Sequence, residues 1–257
     1  MTPAALPEQP LIAVDVVPIR YSRKRGFVEL FTGRRLFEPA LGKPALPGVL
    51  LGQKLPHPMR DGTPGERIES TREAAYRALR TKIGAGGTSV RGGLFDIGIF
   101  EGLPGDLRDP RGDTISIARL AVLKDNFAPG DDEQTKISPF AATGLPFDHD
   151  RIVDAVAVLI DQRLLVDRDL TNALLPDAFT LGDIQAIYGD MGARITKAIQ
   201  AKRLPVSARP TDPADSLRVR RLERTGWFEK GPAEPVGADD EAPRKGRGRP
   251  QATWRWA

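Results

Sequence analysis

Four arginines, Arg218, Arg220, Arg221 and Arg224, fall within seven residues, and Leu217 and Leu222 stand among them at positions that can face a core. On a helix laid in the major groove of DNA, such guanidinium groups pair with guanine edges or hold phosphates; on any other helix the same pattern is a solvated face. Arg247-Gly248-Arg249-Pro250 matches the core of an AT-hook, an extended segment whose arginines lie in a narrow A·T-rich minor groove. A loop tip touching phosphates fits those four residues equally well. In Arg108-Asp109-Pro110-Arg111-Gly112 two arginines flank an aspartate. That set can bind phosphate while the carboxylate orients one guanidinium, or it can be an ion-paired turn. Carboxylates gather at Glu66, Glu69 and Glu73, a set able to hold a divalent cation. The chain has no cysteine and only two histidines, His57 and His149. Disulfides, thiolate zinc sites, iron–sulfur clusters and cysteine nucleophiles are thereby excluded, and a histidine-based triad has little to work with. His149 reads as a capping or packing residue, and Trp254 and Trp256 read as packing for the last strand.

The charge is unevenly spread. Residues 1–193 hold 23 Lys and Arg against 26 Asp and Glu, whereas residues 194–257 hold 15 against 8. A basic segment on an otherwise near-neutral chain points to a polyanionic partner or to a solvated tail. With 257 residues, 40% hydrophobic and 28% charged, the composition is that of an ordinary globular chain of one large or two modest domains. The longest apolar runs fall short of the ~20 residues of a spanning helix. Residues 1–10 lack a basic cluster and an apolar core, so the expectation is a cytoplasmic protein without membrane association.

The elements that position these residues follow from pattern. Leu11–Ile19 is a strand in which Pro18 suggests an edge or a strand end, and Gly26–Phe31 is its hairpin partner. Phe37–Leu51, rich in Pro and Gly, reads as a loop. Ser70 with Glu73 forms a capping box for a helix over Thr71–Ile83, stopped by Gly84. Leu94–Phe100 and Thr114–Leu123 read as strands, separated by a turn at Asp106–Asp113. Asn126–Gly144 is polar and is the expected domain boundary. Asp148 caps a helix over Arg151–Gln162 whose broad apolar stripe suggests burial on two sides. Thr180 with Asp183 caps a short helix, followed by a second over about Ala193–Lys202. Asp212, Pro213 and Asp215 open a third that runs to about Arg224. Strands at Gly226–Glu229 and Gln251–Trp256 flank the loop Gly231–Pro250. Three helices and then two strands is the order of a winged helix-turn-helix.

Gly65-Glu66, the capped helix and Gly84 resemble a Nudix box, G-x5-E-x7-R-E-U-x-E-E-x-G-U with U aliphatic. The glutamates of that box hold Mg²⁺, which neutralises a pyrophosphate and activates water. Here Arg77 and Leu79 fit, but Ala78, Thr81 and Lys82 stand at glutamate positions, and counted from Glu66 the spacing to Arg77 is three residues too long. The expectation is a domain without diphosphate hydrolysis. The alternative is a pyrophosphohydrolase acting on ADP-ribose through Glu66, Glu69 and Glu73.

A degenerate Nudix domain followed by a winged helix resembles the Nudix-related transcriptional regulators of NAD metabolism, the NrtR family. The resemblance rests on Ala45-Leu46-Pro47-Gly48, Arg108–Gly112, Leu145-Pro146-Phe147-Asp148-His149, Leu174-Leu175-Pro176, Phe179-Thr180-Leu181 with Ile184-Gln185, and the closing Gly248-Arg249-Pro250. Val49 replaces the second glycine of the first segment, Gln53–Thr63 is an insertion, and Ala193–Asp212 is longer than a short turn. The resemblance implies an α/β Nudix-like sandwich over residues 1–145, followed by an α+β winged helix with its linker helix over residues 146–257. It implies a homodimeric repressor without cofactor or resident metal that senses ADP-ribose or a related nucleotide, with Arg108, Asp109 and Arg111 at the ligand. Operator DNA would meet Arg218, Arg220, Arg221, Arg224, Arg247 and Arg249. The basic stretch Ala193–Arg203, with Arg194, Lys197, Lys202 and Arg203, is a second candidate for the recognition helix.

Overall fold

The structure, a computed structural model, describes residues 9–58, 63–102, 112–130, 134–212, 222–234 and 251–257. Strand β1 (Leu11–Ser22) lies at the centre of a mixed sheet because both of its faces are apolar. Val14 and Val16 point to one side and Val17, Ile19 and Tyr21 to the other, the period-two alternation of a strand buried on both faces. It pairs in parallel with β8 (Thr114–Leu123) and antiparallel with β2 (Phe27–Arg34). β7 (Val90–Phe100) flanks β8, and β9 (Thr135–Pro139) flanks β2.

Against one face lies α1 (Thr71–Ile83). Its capping box of Ser70 and Glu73 is formed, and Gly84 closes it in the left-handed conformation. Ala74, Ala75 and Ala78 are all fully buried, and these small side chains let the helix approach Val14, Val16, Phe31 and Leu123 closely. Against the other face lie α2 (His149–Arg163) and α4 (Leu181–Gln200), with α3 (Arg168–Leu174) between them in sequence. Their buried Ile152, Val156, Ile160, Ile184, Ile187, Met191 and Ile195 join Val17, Leu30, Leu120 and Val122 in one apolar cluster. That cluster is continuous across residue 145, so the C-terminal helices complete the core of the N-terminal sheet.

The remaining strands form smaller units. β5 (Lys54–Pro58), within the expected insertion Gln53–Thr63, pairs antiparallel with β6 (Pro64–Ile68). β10 (Ala178–Thr180), β12 (Gln251–Trp256) and β11 (Phe228–Glu234) make a three-stranded antiparallel sheet in that order.

Several expectations are corrected. Pro18 is interior to a central strand, not at an edge. On that side of β1 the ladder to β4 (Gly48–Leu50) covers Ala13–Asp15 and the ladder to β2 covers Ile19–Ser22. Val16 donates its N–H to Pro47 O, and residue 18 faces the same way, into the gap between the two ladders, where a missing N–H costs no strand bond. The expected loop Phe37–Leu51 contributes β3 (Pro44–Ala45) and β4 to the sheet. Asn126–Gly144 is not a boundary loop: it carries β9 and the fully buried Phe140. Asp148 stands at the start of α2 but makes no capping hydrogen bond from its side chain. The two short helices expected between Thr180 and Lys202 are one 20-residue helix, because Ile184, Ile187, Met191, Ile195 and Ala198 extend a single stripe without a break. Of the expected third helix only Leu222–Thr225 is described, and it is helical.

Candidate functional site

Two close approaches build a cleft between the end of β2, the β3–β4 segment and the last turn of α1. A Cβ on Gly48 would lie 2.1 Å from Asp15 Oδ1, so only glycine lets β4 seat beside that buried carboxylate. A Cβ on Gly33 would lie 3.0 Å from the carbonyl oxygen of Lys82. That contact brings the C-terminal turn of α1 onto β2, where Arg34 and Arg35 follow directly. The resulting cleft, about 220 Å³, is lined by Arg34, Arg35, Phe37, Lys82, Phe147 and His149 among others.

Its electrostatics are cationic. Among the described residues, no side-chain hydrogen bond or ion pair holds Arg34 or Lys82, and both are exposed. The Arg35 guanidinium lies 4.8 Å from the centre of the Phe147 ring and donates from Nε to Pro39 O at 2.7 Å. Asp15, the one acidic residue among the described lining residues, accepts from Ser116 Oγ at 2.6 Å. His149 accepts the Leu46 N–H at Nδ1, 3.1 Å, so its neutral form carries the proton on Nε2, which lies 3.9 Å from Asp15. It therefore ties Leu46 to the start of α2 while also lining the cleft.

The helix with box-like pattern has its carboxylates occupied. Glu69 is buried and accepts from Arg77 Nε at 2.9 Å, from Arg77 Nη2, and from the backbone N–H groups of Gly52 and Gln53. The hydrogen bonds from Arg77, then those from the backbone, hold its carboxyl below the usual range. Glu73 closes the capping box and pairs with Arg67. Glu66 is exposed and pairs with Lys54 at 3.2 Å. Counting from Glu69 instead of Glu66 restores the E-x7-R spacing to Arg77, a signal countable in the sequence that the choice of Glu66 obscured. In that register Ala78, Thr81 and Lys82 occupy the three remaining glutamate positions. The Mg²⁺ of a Nudix box therefore does not fit: two carboxylates are committed to arginines and an ammonium stands where a ligand is needed.

Glu69 sets an acid limb for stability. A carboxyl whose folded value lies below its unfolded value of about 4.3 stabilises the fold above that pH, and the contribution fades as pH falls through the folded value. Glu69→Gln is expected to lower the urea midpoint at about pH 7, with the gap to wild type narrowing as pH falls below the unfolded value of about 4.3. A gap of constant size would show that the ionised form is not what Arg77 stabilises.

The other expected site residues divide sharply. Arg108, Asp109, Arg111, Arg218, Arg220, Arg221, Arg247 and Arg249 lie outside the described residues. Arg224 is described and exposed, next to buried Leu222. Of the second recognition candidate, Ala193–Arg203, two cations are held by α2 carboxylates and two are exposed. Arg194 is fully buried and bonded to Asp154, Asp150 and the Ala142 carbonyl, Lys197 donates to Ala141 O, and Arg203 pairs with Asp154. Arg194 looks inward because it lies on the buried stripe of α4, whereas Lys197 and Lys202 are exposed. Trp254 is buried and Trp256 packs on Phe228 at 4.5 Å. Arg34, Arg35 and Phe37 escaped sequence reasoning; their signal was two arginines followed by an apolar pair at the end of a strand.

The fold defined by this sheet and its flanking helices is the Nudix α/β fold. The chain is similar to NrtR of Shewanella oneidensis, at 19% identity and a TM-score of 0.55 over 96% of this chain and 94% of that one. It is similar to the same protein complexed with a 27mer DNA, at 19% identity and a TM-score of 0.53 over 96% and 93%. It is likewise similar to a MutT/nudix family protein of Enterococcus faecalis, at 19% identity and a TM-score of 0.55 over 97% and 89%. No protein-family model and no curated protein matches the chain. The resemblance to the NrtR regulators read from motifs is thus met by a likeness in fold along nearly the whole chain. Among the described residues no helix is long and apolar enough to cross a membrane.

Proposed function

We propose that this protein is a cytoplasmic, homodimeric transcriptional regulator, a repressor, whose Nudix-type domain binds ADP-ribose or a related nucleotide without hydrolysing it and whose C-terminal winged helix binds operator DNA. The observation that carries this reading is the committed state of the box helix: Glu69 and Glu73 are held by Arg77 and Arg67, and Lys82 faces the cleft from a glutamate position. A site of that kind attracts a polyanion and lacks the means to activate water. The likeness to a regulator crystallised with DNA supports the second half. So does the sheet order β10-β12-β11, with a helical turn entering it that carries Leu222 inward and Arg224 outward.

Arg218, Arg220, Arg221 and Arg224 are the proposed base and phosphate contacts, and Arg247 and Arg249 those of the wing. Arg108, Asp109 and Arg111 are proposed at the ligand. Thr114, two residues past Gly112, lines the cleft and donates to Gly112 O at 3.1 Å, which supports that assignment. Ligand binding changes the dimer geometry through α2, so that the two recognition helices no longer match half-sites about one helical turn apart.

The test is binding to a labelled fragment from upstream of the protein's own gene, against random competitor DNA, with and without ADP-ribose. Arg220→Ala with Arg221→Ala is expected to weaken specific binding by ~30-fold or more, each lost arginine contact being worth ~1–3 kcal/mol. Unchanged affinity would move the DNA site elsewhere.

The likeness to the Enterococcus faecalis protein favours a second reading, a nucleoside diphosphate pyrophosphohydrolase using Glu66, Glu69 and Glu73. Metal-dependent turnover of ADP-ribose, abolished by Glu69→Gln, would establish it.

A further inference from the structure

We infer that the cleft binds the diphosphate of a nucleoside diphosphate without any divalent metal, the Lys82 ammonium with Arg34 and Arg35 supplying the positive charge that a metal supplies in a working Nudix site. The inference rests on the proposed ligand-binding role of this domain and adds how the ligand's charge is met. Lys82 stands at a box position where a glutamate would hold the cation, and it lines the cleft. The Gly33 approach fixes the last turn of α1 against β2, so Lys82 from the helix, Arg34 from the end of the strand and Arg35 just past it converge on one space.

Among the described lining residues three cations stand against one carboxylate, Asp15, which is already bonded to Ser116. Arg34 and Lys82 carry no internal partner among the described residues, so their charges are available to a ligand. A planar guanidinium offers paired donors to phosphate oxygens, and the ammonium acts as a point charge beside them. Phe37, 74% exposed at the rim, offers a face on which a base can stack. The alternative for Lys82 is a solvated cation that complements the negative end of the α1 dipole.

The experiment is calorimetric titration of the full chain with ADP and with inorganic pyrophosphate, each in EDTA and in excess Mg²⁺, with the nucleotide assayed for cleavage. Wild type is expected to bind both probes in EDTA at least as tightly as in excess Mg²⁺, where the metal competes for the diphosphate. Lys82→Gln should weaken both about tenfold, the order of one charge-assisted hydrogen bond, while its melting temperature stays near wild type. Phe37→Ala should weaken ADP several-fold and leave pyrophosphate unchanged, as expected for one lost stacking contact. Binding that needs Mg²⁺ overturns the inference and leaves the regulator reading standing. No binding in either buffer, or Lys82→Gln indistinguishable from wild type, also overturns it, the latter returning Lys82 to the helix dipole. Cleavage of ADP in Mg²⁺ sinks instead the reading of a non-hydrolysing domain.

Discussion

Arg194→Ala is expected to lower the stability of the fold by about 3–5 kcal/mol, enough to leave a marginal domain largely unfolded at physiological temperature. The guanidinium is fully buried and reaches three residues on two separate segments. Nε donates to Asp154 Oδ1 at 2.5 Å and Nη2 to Asp150 Oδ1 at 2.8 Å, both on α2, while Nη1 bonds the Ala142 carbonyl beyond β9. Removing it leaves Asp154, 1% exposed, with Arg203 alone among the described residues to answer its charge. Desolvation makes a buried carboxylate expensive once its partner is lost, which is why the single change costs more than the pair contributes. Arg194→Met is therefore expected to cost nearly as much as Arg194→Ala, and combining it with Asp154→Leu to recover most of the loss. Chemical denaturation of the three variants checks this. If Arg194→Met alone matches wild type, the network does not hold α4 to α2.

Phe179→Ala is expected to cost about 3–5 kcal/mol as well, by a different route. Phe179 is fully buried in β10, opposite Trp254 of β12, and meets Phe228 of β11 edge-to-face with centroids 5.1 Å apart. It is the side chain common to all three strands of the small sheet, and it immediately precedes α4. Truncation opens a cavity that rigid neighbours on every side cannot fill. Phe179→Leu, which keeps most of the volume, should cost far less, below about 1.5 kcal/mol. The melting temperature of the alanine variant should fall by roughly 10 °C for a chain of this size. A fall of only a degree or two would mean that the sheet relaxes around the gap.

These two residues also show where sequence reading stopped. Phe179 was legible as part of a family-like segment, and its burial follows from its type. Arg194 was read as one member of a basic stretch facing DNA, because charge and helical position are visible in a sequence while partners are not. Asp150 and Asp154 are 44 and 40 residues away, and only the packing of α4 against α2 makes them neighbours. The same limit explains the cleft. Arg34, Arg35 and Lys82 come from a strand and a helix some 50 residues apart, and their convergence depends on a backbone contact at Gly33.

Local physics determined the rest. The capping box at Ser70, the left-handed stop at Gly84, strand β8 with its alternating pattern and the replacement of three box glutamates were all readable, because each depends on residues within a few positions of one another. Tertiary structure decided whether Pro18 could sit mid-sheet, whether residues 126–144 were linker or strand, whether residues 181–200 were one helix or two, and which charges face inward. Those outcomes turn on burial and on partners distant in the chain, and desolvation, not residue type, gives a charge its role.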